Sequence, residues 1–98
     1  MSYLRQGAYS PGTNTNFTTS ATSQATSEMD STTSIVRVST TEAIYVEISA
    51  DPTATTSSVL IPAGGTEFFA VTPGESKVAV LQVSTSGVTS VTQLAVLS

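Results

Sequence analysis

Residues 66–83 read TEFFAVTPGESKVAVLQV, two apolar runs joined by a Pro-Gly turn. Thr72-Pro73-Gly74-Glu75 fits a type II turn: proline presets the backbone at the second position, and glycine accepts positive φ at the third. KVAVLQV, residues 77–83, is nearly apolar on both faces, which marks a strand covered on both sides and therefore central in its sheet. In the preceding run, alternation sends Phe69 and Val71 one way and Phe68 and Ala70 the other. One ring is expected to plug a core while its neighbour faces the far side of the sheet. The alternative is a bulge that brings both rings into one sandwich.

The same texture extends outward on both sides. EAIYVEISA, residues 42–50, places Ile44, Val46 and Ile48 on one face and Ala43, Tyr45 and Glu47 on the other, the period of a half-buried strand. Residues 34–39 form a further strand candidate, stopped by Thr40 and Thr41. Asp51-Pro52 opens a loop, and residues 58–61 are a short apolar run closed by Pro62 and Gly64-Gly65. Downstream, Ser84-Thr85-Ser86-Gly87 reads as a hairpin turn into a last strand over residues 88–97. About six short strands at roughly 8–12-residue spacing, with no helical stripe, predict an all-β fold, a small antiparallel β-sandwich or barrel.

Residues 1–32 read differently. Between Phe17 and Ile35 there is almost no aliphatic side chain, and nothing repeats at strand or helix spacing. Such a segment buries too little to offset its ordering entropy, so it is expected to be an extended Ser/Thr-rich arm on a β-domain of residues 33–98. Tyr3, Tyr9 and Phe17 punctuate it. They are either scattered at random or act as anchors that slot into a neighbouring subunit when the arm orders on binding. With Phe68 they make up the candidate partner-binding residues.

Composition narrows the chemistry. The 98 residues suit one small domain, and with neither Cys nor His there is no disulfide and no usual zinc site. Support from oligomerisation or from docking on a larger body is the remaining expectation. The net charge is −4, and the three cations Arg5, Arg37 and Lys77 lie far apart. Nucleic acid needs clustered Lys and Arg, and an anionic membrane surface needs the same, so neither is an expected partner. No run approaches the ~18 apolar residues of a membrane span, and MSYLRQGAYS has no apolar signal-peptide core. A soluble protein made in a cytoplasm is expected. Ser and Thr are about a third of the chain. In the β-region that suits pleated strands with a hydroxyl-rich solvent face.

No catalytic or metal constellation is expected, nor any cofactor. Without His or Cys, the abundant hydroxyls have no general base to activate them. The carboxylates Glu28, Asp30, Glu42, Glu47, Asp51, Glu67 and Glu75 fall mostly at strand ends and turns, where solvated charges discourage edge pairing. Ala63-Gly64-Gly65 lacks the following Lys and helix of a phosphate loop. Glu28-Met29-Asp30-Ser31 has the wrong ligand spacing for calcium.

One resemblance emerges from these motifs. Ile61-Pro62-Ala63, Thr66-Glu67-Phe68-Phe69, Val71-Thr72-Pro73-Gly74 and Lys77-Val78-Ala79-Val80, with a final S-V-T-Q-L over residues 90–94, resemble small virion proteins of tailed bacteriophages. The likeness covers roughly residues 57–95 and leaves out the N-terminal segment. It implies a structural virion protein, a capsid decoration (cement) protein that stabilises the shell. It further implies the major capsid protein or other virion subunits as partners, a homo-oligomer such as a trimer, and a place on the capsid surface. Alternatives of other classes are a tail, fibre or head–tail connector component, and a carbohydrate- or receptor-binding β-module. An enzyme comes last.

Overall fold

The computed structural model describes residues 9–96. Eight strands follow in order: β1 (Tyr9–Thr18), β2 (Gln24–Ala25), β3 (Ile35–Thr40), β4 (Ile44–Ser49), β5 (Val59–Ile61), β6 (Thr66–Ala70), β7 (Lys77–Gln82) and β8 (Val88–Val96). They form two four-stranded antiparallel sheets, a front sheet ordered β1-β8-β3-β6 and a back sheet ordered β2-β7-β4-β5. The all-β expectation holds, with two strands more than the sequence suggested.

The pairing has a simple logic. The chain behaves as one long hairpin in which β1 meets β8, β2 meets β7, β3 meets β6 and β4 meets β5. Rolling that hairpin brings β8 against β3 and β7 against β4. Only the β4–β5 connection stays within a sheet. This is the winding of an eight-stranded jelly roll.

The core follows from alternation. Across the ladders, Val36 faces Phe69, Val38 faces Val91, Val46 faces Val80, Ile44 faces Ile61 and Ile48 faces Val78. These residues, with Met29, Phe17 and Val71, are the apolar interior. Phe69 and Val71 turn inward and Phe68 outward, so the expected split of the two rings is observed. KVAVLQ is central in the back sheet, between β2 and β4. Gly74 has φ 74°, and the Glu75 amide donates to the Thr72 carbonyl at 3.2 Å, the geometry of the predicted type II turn.

Two expectations are corrected. A boundary at residue 32 does not separate an arm from a domain, because residues 9–32 are woven into both sheets. β1 runs beside β8, β2 beside β7, and Met29 is buried with its amide on the Ser76 carbonyl at 2.8 Å. Main-chain pairing and buried hydroxyls supply what aliphatic side chains do not. Thr26 illustrates this: its Oγ1 accepts the Val78 amide and donates to the Ser27 carbonyl. No buried side-chain polar atom among the described residues lacks a partner, so these hydroxyls are held without the penalty of an unpaired polar group.

The Ser84–Gly87 segment, expected as a hairpin turn, carries the chain from the back sheet to the front sheet. Thr19 ties it down. Its Oγ1 accepts the Gly87 amide at 2.8 Å, while its own amide donates to the Gly87 carbonyl at 2.9 Å. A β-carbon on Gly87 would lie 2.6 Å from Thr41 Oγ1 and 2.7 Å from Glu42 Cγ, so this close approach requires glycine.

Candidate docking surface

The two sheets end together on one side. There β5, the last strand of the back sheet, passes into β6, the last strand of the front sheet, through Pro62-Ala63-Gly64-Gly65. Gly64 has φ 75° and the Gly65 amide donates to the Pro62 carbonyl at 2.9 Å, so this tight turn, like residues 72–75, places a positive-φ glycine at its third position.

The flank so formed is apolar. Val59, Leu60 and Phe68 are 54, 56 and 54% exposed. Leu60 stands opposite Tyr45 on the back sheet, and Phe68 opposite Arg37 on the front sheet. Between them runs a groove with two connected parts. The first, about 290 Å³, is lined by Val46, Glu47, Ile48, Val59, Phe69 and Ala70. The second, about 400 Å³, shares Ile48 and Ala70 and continues past Val71 to Glu75. The groove exists because β5 spans only the first half of β4, pairing Ile44, Tyr45 and Val46 and leaving residues 47–49 beyond it. Val59 lines the groove, whereas Leu60 and Phe68 lie on the outer faces of the back and front sheets beside it.

The outer face of the front sheet is of a different character. Asn14 Oδ1 accepts the hydroxyls of Ser90 at 2.7 Å and Thr92 at 2.6 Å, and Asn14 Nδ2 donates to Asn16 Oδ1 at 2.9 Å. Ser39 and Thr66 share a hydroxyl–hydroxyl bond at 3.0 Å. These side chains satisfy one another, and the row Asn14, Thr92, Arg37, Phe68 crosses the sheet from edge to edge.

Of the four candidate partner-binding residues, the two whose side chains are described, Phe17 and Phe68, do not converge. Tyr3 lies outside the described residues. Tyr9 begins β1, paired with Val96, and its side chain is outside the described part. Phe17, read from sequence as either randomly placed or an anchor for a neighbour, packs against this chain's own core because its position on β1 faces inward. Phe68 sits on the exposed flank, at the opposite edge of the front sheet from β1. Val59 and Leu60 were not singled out from sequence. Their signal was present in V-L-I, residues 59–61, where alternation cannot bury every member.

Six of the carboxylates are exposed and Glu42 is half-buried. Among the described residues no three acidic side chains come together as a metal-ligand set. In comparisons with protein-family models, curated proteins and solved structures, nothing matches this chain.

Proposed function

We propose that this chain is a structural, non-enzymatic virion protein of a tailed bacteriophage, a decoration (cement) protein that docks on the capsid shell. The observation that carries the reading is the β5–β6 flank: three large exposed apolar side chains beside an open groove in a chain with very few charges. Covering such a flank gains apolar burial, and a large partner surface is suited to do it. The motifs behind the virion resemblance, I-P-A, T-E-F-F, V-T-P-G and K-V-A-V, are the ones that build β5, its turn, β6, the next turn and β7. The jelly roll occurs in viral capsid domains and in lectins, which is fold-level analogy and no more.

The test is copy number and attachment. In purified particles carrying this chain, its ratio to the major capsid protein is expected near parity. A Leu60→Asp, Phe68→Asp variant is expected to fold and yet to leave the particle. A dozen copies or fewer would shift the reading to a tail or connector component. Retained attachment of the variant would remove the flank from the proposal.

A second reading, a carbohydrate- or receptor-binding module, has one observation in its favour. The row Asn14, Thr92, Arg37, Phe68 places amide, hydroxyl, guanidinium and aromatic groups on one face of the front sheet. A saturable glycan hit that Phe68→Ala abolishes would replace the first reading.

A further inference from the structure

Four strands end the two sheets, and one of them differs from the rest. β2 has two residues, β5 three, and β6 five with the exposed Glu67 among them. β1 runs for ten, Tyr9–Thr18, with no charged side chain. Short length and charge are the usual devices that keep a sheet edge from pairing. In β1 only Pro11 and the register shift between Pro11 and Asn14 act that way, which leaves residues 14–18 a regular, neutral edge.

One bond fixes where its main-chain groups point. The Thr19 amide donates to the Gly87 carbonyl at 2.9 Å, in register with Thr18 opposite Val88. Alternation in an antiparallel ladder then turns Phe17 and Thr15 towards β8, and the N–H and C=O groups of Thr18, Asn16 and Asn14 away from it. Gln24 agrees with this, its Nε2 donating to the Thr18 carbonyl at 3.0 Å. Among the described residues no other group bonds to these outward main-chain groups. Thr15 and Phe17 are half-buried, at a flank where the back sheet ends in the two-residue β2.

The occupant that suits this edge is a second copy of it. Antiparallel pairing about Asn16 sets Asn16 opposite its own counterpart, Asn14 opposite Thr18 and Phe17 opposite Thr15. Outward N–H groups then meet C=O groups, asparagine amides that both donate and accept face one another, and no like charges are opposed. The nearby acid Asp30 accepts the Thr13 hydroxyl at 3.2 Å, at the irregular end of the strand. Residues 14–18 therefore carry nothing that would select a charged segment instead.

We infer that β1 pairs with β1 of a second copy, antiparallel about Asn16, so that two four-stranded front sheets join into one continuous sheet. The contact is isologous and closes as a two-fold dimer. Main-chain bonds supply it, with Phe17 and Thr15 covered on its inner side, and one strand pair makes a weak, concentration-dependent association. The inference concerns copies of the isolated protein and does not rest on the virion reading, which uses the opposite flank.

Analytical ultracentrifugation of the full chain tests it, with circular dichroism to check the fold of each variant. The full chain is expected to pass from monomer to dimer as concentration rises. Asn16→Pro removes an outward N–H and spares the β1–β8 ladder, so it is expected to weaken the dimer about tenfold or more. If that variant fails to fold, Asn16→Lys and Asn16→Glu carry the test, since Asn16 is exposed. Each sets like charges across the axis and is expected to stay monomeric. An equimolar mixture of these two is expected to dimerise, and less so as salt rises. Leu60→Asp, on the opposite flank, is expected to dimerise as the full chain does. A full chain monomeric up to ~1 mM, an undiminished dimer in Asn16→Lys, a mixture that stays monomeric, or loss of the dimer in folded Leu60→Asp would each overturn the inference.

Discussion

Gln93 Oε1 accepts the Thr33 hydroxyl and the Asp30 amide together, each at 2.8 Å, and so ties β8 to the turn that leads into β3. Gln93 is buried, as is Thr33. Replacing the amide by leucine keeps most of the volume and strands both donors. Gln93→Leu is expected to cost ~2–4 kcal/mol in urea unfolding, with an unchanged m-value. A loss below ~0.5 kcal/mol would show that water replaces the amide without penalty.

Met29 tests whether the hydroxyl-rich segment belongs to the core. It is 3% exposed among Val36, Val78 and Val91. Met29→Ala is expected to destabilise by ~2–4 kcal/mol through the cavity it leaves. Deleting residues 1–30 goes further, removing β1, β2 and this side chain together. The truncated chain is expected to show no cooperative thermal transition, which calorimetry reads directly.

The adjacent rings should separate by role. Phe69 packs on the core but is only half-buried, so Phe69→Ala is expected to cost about 2–3 kcal/mol, below the ~3–5 of a fully enclosed ring. Phe68→Ala should change stability by under ~1 kcal/mol. Equal stability losses would place both rings in one interior.

Two glycines are required for different reasons, and substitution can tell them apart. Gly64 has positive φ with open space around it, whereas Gly87 has no room for a β-carbon. Gly64→Ala is expected to cost ~1–2 kcal/mol, partly recovered by Gly64→Asn because asparagine tolerates the left-handed region. Gly87→Ala is expected to cost ~1–3 kcal/mol, and Gly87→Asn more, since the clash grows with size. Denaturant midpoints of the four variants decide it.

What the sequence revealed, it revealed through alternation and turn chemistry. Ile44, Val46 and Ile48 declared β4, Val78 and Val80 declared a central β7, and Thr72-Pro73-Gly74-Glu75 declared its turn. β1 stayed hidden because Phe17 is the one large apolar side chain over residues 11–18, and its outward positions carry Asn14 and Asn16. Its pairing comes from main-chain bonds, which every residue offers alike and hydropathy cannot register. Ser84–Gly87 misled for a related reason. Turn-forming residues announce a change of direction but not whether the chain pairs with the strand it has just left. The flank was half legible: Phe68 stood out, whereas the groove beside it depends on the shortness of β5.

The seat of β8 between β1 and β3 has a consequence for biosynthesis. While the ribosome is still adding residues 88–96, β1 has no strand to lie against and β3 lacks one of its two neighbours. The front sheet therefore closes only as synthesis of β8 finishes, and pairings of such sequence separation form slowly. A leading segment of threonines, serines and asparagines is well suited to that wait, since it stays hydrated and offers nascent neighbours little to stick to.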